Sequence, residues 1–337
     1  MRRKLQAMLL AAVLVSPLTA LAHEGFNSRE EVIHQTAYWT GERFPDGRPK
    51  VPDDILDKMK TVTLEEAWAT LRTAGFLHQY EDGWLSIFPD KILVGRALTS
   101  SWMPGRPDIE KIIEADGTAD GRKLATNSWP VDMLQPRDVY VSDHFGLKTD
   151  GPSIGDNVGN AIYARSGNGI VYDGAVRDIN GLKELPGFTS FVRSYDPSHH
   201  FGRLAEGTLL NSTMVAINAP TRIGGVLVMP GDVILGRDGG VFFIPPQLAA
   251  RVVLDSMRTR LADTFSHQRL AEKKYTAGQI DGAWAPEIEA DYTQWLKDNI
   301  DKMAPYGRAD VQQILDERAR PRPAPGAGRG GRGPAPQ

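Results

Sequence analysis

Gly151-Pro152-Ser153-Ile154-Gly155-Asp156-Asn157-Val158-Gly159-Asn160-Ala161 opens a stretch that closes on Gly169-Ile170-Val171-Tyr172-Asp173-Gly174-Ala175-Val176-Arg177-Asp178. Its first five residues, with two Gly, a Pro and a Ser, read as a loop. Val158, Ala161, Ile162 and Arg165 then fall at helical intervals, predicting a helix over Asp156 to Ser166. Gly169 to Tyr172 is a short apolar run suited to a buried strand, and Asp173-Gly174 has turn chemistry. Arg177 to Leu182 starts another helical turn. Loop, helix and strand in that order return the chain to one end of a sheet. A helix N-terminus with free N–H groups, the carboxylates of Asp156 and Asp178 and the guanidinium of Arg177 are thereby expected to converge.

Each part admits two readings. The loop Gly151 to Asn157 is an anion site, or Asp156 does no more than cap the helix. Arg177 and Asp178 suit an anionic substrate and a divalent metal respectively, or they form a local ion pair or a helix cap. Taken together, the set points to a small acid bound with a metal.

Outward from this stretch, Thr63-Leu64-Glu65-Glu66 has capping-box spacing and predicts a helix over about 63–73, closed by Gly75. Ile92 to Thr99 reads as a strand, Asp108 to Glu114 as a short helix with Asp108 as its N-cap, and Pro136-Arg137-Asp138 as a turn into a strand at Val139. Ser190 to Arg193, Ile223 to Met229, Val233 to Leu235 and Val241 to Ile244 read as further strands, with turns at Pro230-Gly231-Asp232 and Asp238-Gly239-Gly240. Pro246 starts a long helix with Leu248, Val252, Val253 and Met257 on one face. Asp291 to Asn299 and Ala309 to Arg318 read as short terminal helices. Several strands join by tight turns, so the expected class is mixed α/β or α+β rather than a doubly wound sheet.

The chain has 337 residues and no Cys, with 39 Lys+Arg against 42 Asp+Glu. Without cysteine there is no disulfide framework, zinc ribbon, iron–sulfur site or thiol nucleophile. Arg2-Arg3-Lys4, the apolar run Leu5 to Thr19 and Ala20-Leu21-Ala22 make a cleavable secretory signal over 1–22, which places the mature protein in the periplasm or outside the cell. No later segment is expected to span a membrane. Residues 23–60 are polar and irregular and read as an N-terminal arm laid on the surface. The end, 318–337, is a basic Pro/Gly/Arg tail expected to be disordered. Set apart from the cations of leader and tail, the segment between them carries a formal charge of about −11. That acidity argues against nucleic acid as a partner.

The motifs quoted above, with the strand at Ile92 to Thr99 and the closing run Gly224-Gly225-Val226, Pro230-Gly231-Asp232-Val233-Ile234 and Gly239-Gly240-Val241, resemble the RraA-like family. That family joins regulators of ribonuclease E activity to 4-hydroxy-4-methyl-2-oxoglutarate (HMG) aldolases. The resemblance covers about 61–262, leaving 263–317 as a C-terminal helical extension. It implies a three-layer αββα sandwich of the swivelling-domain type that assembles as a homotrimer or hexamer. It also implies a divalent-metal-dependent lyase that cleaves a 4-hydroxy-2-oxo acid or decarboxylates oxaloacetate to pyruvate. Asp156, Arg177 and Asp178 match the Asp-x20-Arg-Asp signature of the aldolase branch. By that match Asp178 ligates Mg²⁺ or Mn²⁺, and Asp156 acts through a water of that ion. Arg177 and the backbone amides of Gly155, Asp156, Asn157 and Val158 hold the carboxylate end of a small 2-oxo acid. The alternative implied by the family's other branch is a regulatory or carboxylate-binding protein without turnover.

The leader, the arm, an insert around His199 to Met214 and the C-terminal extension depart from the minimal family pattern, and Arg237 stands where an acid is common. Glu272 is the candidate for an acid contributed across a subunit interface. His23 as a new N-terminus invites a copper site that no other residue supports. His144 either lines the pocket or is structural, and His199-His200 either bind metal or substrate near the site or, the preferred reading, form an exposed polar loop.

Overall fold

The computed structural model describes residues 28–320 apart from 124, 125, 200, 205 and 206, with the side chains of 201–210 also left aside. The segment 1–22 expected to be a secretory signal, His23, His200 and the tail from 321 onward lie outside the described residues. Helices α1 (Arg29–Gln35), α2 (Asp53–Met59) and α3 (Leu64–Thr73) come first. The capping box forms as its sequence spells it: Thr63 Oγ1 accepts from the Glu66 N–H, and the Glu66 carboxylate accepts from the Thr63 N–H. Next come β1 (Tyr80–Glu81), β2 (Leu93–Pro104), α4 (Pro107–Ala119), α5 (Trp129–Asp132), β3 (Asp138–Leu147), α6 (Asp156–Ser166), β4 (Ile170–Val176), α7 (Ile179–Lys183) and β5 (Ser190–Tyr195). The strands β6 (Phe201–Leu204), β7 (Gly207–Leu210), β8 (Ser212–Ile217), β9 (Thr221–Ile223), β10 (Val226–Val228), β11 (Val233–Arg237) and β12 (Gly240–Ile244) follow. The chain ends in α8 (Pro246–Ala271), α9 (Ala277–Ile280), α10 (Pro286–Asp298) and α11 (Arg308–Ala319).

The main sheet runs β1-β12-β11-β2-β3-β4-β5. β2 to β5 are parallel, joined through α4 to α7, and β11, β12 and β1 add antiparallel. The two halves of this sheet face each other. Val139, Val141, Val171 and Phe191 share one apolar core with Ile234, Val241 and Phe243, together with Ile223, Val226 and Val228 of the β9–β10 hairpin. Gly236 marks the closest approach, since a Cβ there would lie 2.6 Å from the Phe191 ring. On the outer faces, Ile113, Trp129, Ile162 and Leu182 seat α4 to α7, while Leu56, Leu71 and Val252 seat α2, α3 and α8. The result is a mixed α+β sandwich, two β layers between two helical ones. Phe265, Tyr292, Trp295 and Ile314 give the terminal helices a separate cluster of their own.

Several local readings change. Asp173-Gly174 is not a turn; β4 runs through it to Val176. The Asp173 carboxylate accepts from Arg193 Nε at 2.6 Å and from the Gly224 N–H at 2.9 Å, so tertiary partners override the turn chemistry. Ile223 to Met229 is not one strand, because Gly224-Gly225 breaks it into the β9–β10 hairpin. Asp108 does not cap α4; Arg106 holds the N-cap position, and Asp108 binds the Arg106 side chain at 2.6 Å. Ser212 to Met214, read as insert, begins β8 and pairs with the second half of β2. The arm is not merely laid on the surface. The Arg48 side chain is fully buried, bound to Asp46 at 2.7 Å and Asp138 at 2.8 Å, with the Phe44 ring 4.9 Å away.

Candidate active site

β4 delivers Arg177 and Asp178 just beyond its carboxyl end. Asp178 takes a left-handed conformation (φ 55°, ψ 42°) at the start of α7, where it makes no capping bond. Its carboxylate instead meets Arg177 Nη1 at 2.8 Å. The loop before α6 is tied to the same strand end: Ile154 bridges Val176, and the Ile154 carbonyl accepts from the Arg177 N–H at 3.0 Å. These ties press Gly155 against the ion pair. A Cβ on Gly155 would lie 2.4 Å from Asp178 Oδ2 and 3.1 Å from Arg177 Nε. At φ −122° the backbone suits any residue, so the demand at Gly155 is for space, not for glycine's conformational freedom. Arg177 Nε is buried there without a hydrogen-bond partner. A desolvated donor of this kind is costly unless an acceptor arrives.

α6 starts without a side-chain cap. Asp156 does not cap it; Oδ1 accepts from the adjacent Asn157 N–H at 2.7 Å, so that amide is already engaged. The Asp156 side chain packs on α7, where a Cβ at Gly181 would lie 2.7 Å from Asp156 Cβ. Val158 is half-buried and packs onto the core beneath α6. Of the six residues nominated from sequence, Gly155, Arg177 and Asp178 meet at one ledge, Asp156 and Asn157 follow it in the chain and Val158 turns to the core; the Arg177 side chain is 26% exposed and that of Asp178 37% exposed.

The remaining candidates fall elsewhere. His144 is fully buried among the rings of Trp102, Phe145 and Tyr172, 5.2 to 5.4 Å between centroids, and is part of the core. His199 is exposed. Glu272 ends α8, bound to Arg269 at 2.8 Å within its own chain. Arg237 binds Asp238 and the Val62 carbonyl. Sequence reading missed an inner charged cluster in which Arg193 joins Asp173 and Glu81, each at 2.6 Å, and lies 3.7 Å from the Trp84 ring centre. Beside it, burial and the neighbouring Asp173 push the Asp143 carboxyl above its usual range. No spacing rule signals such a cluster, because its members come from four separate segments.

Among the described residues no three His, Cys, Asp or Glu side chains come together as a metal cage. One exposed carboxylate, Asp178, with Asp156 packed against α7, fits a hard ion that keeps most of its waters, as Mg²⁺ does, and does not fit a closed zinc site.

The family model RraA-like (Aldolase/RraA) matches residues 53–243, and the chain belongs to that family. Among solved structures, it resembles RraAS2 of Streptomyces coelicolor, described as an unusual member of the RNase ES inhibitor RraA protein family. Identity there is 25% with a TM-score of 0.52, covering 66% of this chain and 98% of that one. An uncharacterized protein of Pseudomonas syringae pv. tomato shares the fold at 21% identity and TM-score 0.52, covering 69% and 100%. So does a protein described among novel cellulases of gut-associated microbes, at 17% identity and TM-score 0.53, covering 71% and 96%.

Proposed function

We propose that the protein is a divalent-metal-dependent lyase that releases pyruvate, by cleaving a 4-hydroxy-2-oxo acid such as HMG or by decarboxylating oxaloacetate. The observation that carries this reading is the bare cradle at Gly155, with the unpartnered Arg177 Nε facing it and Asp178 alongside. A planar carboxylate suits a guanidinium whose Nε–H is unspent. The uncapped start of α6 adds partial positive charge for the same anion. Asp178 would hold Mg²⁺ or Mn²⁺, with Asp156 acting through one of the ion's waters; the ion, when bound, would supply a Lewis acid for the 2-keto oxygen. Arg177 orients the substrate carboxylate and offsets negative charge that builds on the 2-oxo acid as the C–C bond breaks. Asp156, next to Gly155 at the start of α6, would hold water or a proton near the departing group.

In the single chain this site is an open ledge, and Trp68, Leu77 and Leu227 elsewhere on the surface are 52%, 58% and 60% exposed. We therefore propose a trimer or hexamer, in which a neighbouring subunit closes the ledge. Export to the periplasm belongs to the same proposal and rests on the sequence of the leader.

The test is pyruvate release from oxaloacetate and from HMG with Mg²⁺ or Mn²⁺, against a chelator-treated control. Asp178→Ala should abolish activity and metal binding together. Activity that ignores the chelator would overturn the assignment. A second reading, a regulator or binder without turnover, is favoured by the description attached to RraAS2. Metal and pyruvate binding without turnover would select it.

A further inference from the structure

Tyr172 sits on β4 five residues before Arg177, fully buried, and its phenol lies 2.5 Å from Ser153 Oγ. Burial holds the phenol well above its usual pKa, so it stays protonated and able to donate. Ser153 is itself buried and lies two residues before Gly155. Next along the loop, Ile154 pairs with Val176 and accepts from the Arg177 N–H at 3.0 Å. At the far end of the loop, the Gly151 N–H donates to Ser198 Oγ at 2.8 Å, and Ser198 Oγ in turn donates to Asp196. The Asp196 N–H bonds the Val176 carbonyl at 3.1 Å. A single strand therefore supplies Arg177 and Asp178 directly and fixes the opposing loop through Tyr172.

We propose that Tyr172 is a positioning residue: through Ser153 it sets the height of the 151–155 loop over β4, and so the width of the cradle between Gly155 and Arg177. This rests on the anion-binding reading of that cradle. It makes a distinction that general loosening of the fold would not. The loop carries the anion-facing backbone of Gly155, whereas the backbone of Asp178 belongs to the junction of β4 and α7. Tyr172→Phe keeps the ring packing against His144, 5.2 Å away, and removes only the hydroxyl.

The test has two readouts on Tyr172→Phe, Ser153→Ala and Ser153→Thr. Hydrogen exchange of the 151–158 amides needs no substrate. Calorimetry with Mn²⁺ and then oxalate, a planar dianion shaped like the enolate of pyruvate, measures the two halves of the site separately. Tyr172→Phe and Ser153→Ala should speed exchange in the loop and weaken oxalate about tenfold, the reach of one buried hydrogen bond, with Mn²⁺ affinity unchanged. Ser153→Thr, which keeps a hydroxyl, should restore most of it. If the wild type turns over, KM should rise in the two weakened variants while kcat changes little. Unchanged loop exchange in Tyr172→Phe overturns the proposal, as does an equal loss of Mn²⁺ and oxalate. Faster loop exchange in a protein that releases no pyruvate leaves the positioning role standing and removes the lyase.

Discussion

A methyl group on Gly155 would sit 2.4 Å from Asp178 Oδ2 and 3.1 Å from Arg177 Nε, yet the backbone there would accept alanine without strain. Gly155→Ala should therefore fold normally, keep its melting temperature within a few degrees and lose about a hundredfold in kcat/KM, because the substrate carboxylate is displaced. Arg177→Ala should cost about a hundredfold in rate, or ~3 kcal/mol, and Arg177→Lys should recover only part, since an ammonium lacks the planar fork. A second buried carboxyl is testable by pH. Asp232 is buried, the Met229 N–H donates to it at 2.8 Å, and burial raises it from 3.8 to about 7. The folded state then holds the proton more tightly than the unfolded chain, so stability should fall as pH rises from about 4 to about 7 and level off above. Urea melts across that range should show the slope in the wild type and a flatter profile in Asp232→Asn. At this scale the sequence was most informative where neighbours in sequence are neighbours in space. Arg177 and Asp178 could be nominated together for that reason, and the partnership of Ser153 with Tyr172 could not.

Among the elements, α6 is formed over the residues its periodicity marked, because its apolar positions, Ile162 above all, meet the sheet as an isolated amphipathic helix should. The failures share one cause. Local chemistry favours a turn at Asp173-Gly174 and one strand over Ile223 to Met229, but Arg193, Gly224 and the opposite β layer decide their conformation. Residues 43–49 looked polar and irregular, and polarity there serves burial: Arg48 joins Asp46 to Asp138, while Arg96 adds a contact to Asp138 at 3.7 Å. Arg48→Ala should leave Asp138 buried without its main partner and cost about 3–5 kcal/mol in urea unfolding. A loss under about 1 kcal/mol would mean that water replaces the guanidinium and that the arm is a loose attachment after all.

For the whole molecule, the sandwich brings the carboxyl end of β4 and the start of α6 to one open ledge, and the terminal helices pack on their own core away from it. Strand and helix patterns joined by tight turns indicate a mixed fold, but the meeting of the two β layers at Gly236 and Phe191 is a long-range fact that no window of sequence contains. Light scattering should give the mass of three chains or a multiple; a monomer would leave the ledge without a closing subunit. In the proposed function Gly155, Arg177 and Asp178 form one site for a small carboxylate and a divalent ion. Calorimetry of oxalate with and without Mn²⁺ tests it most directly, in the wild type, Arg177→Ala and Asp178→Ala. Oxalate should bind the wild type only when Mn²⁺ is present, Arg177→Ala should retain Mn²⁺ but lose oxalate, and Asp178→Ala should lose both. Oxalate binding of full strength in Asp178→Ala, or in wild type stripped of metal, would contradict it.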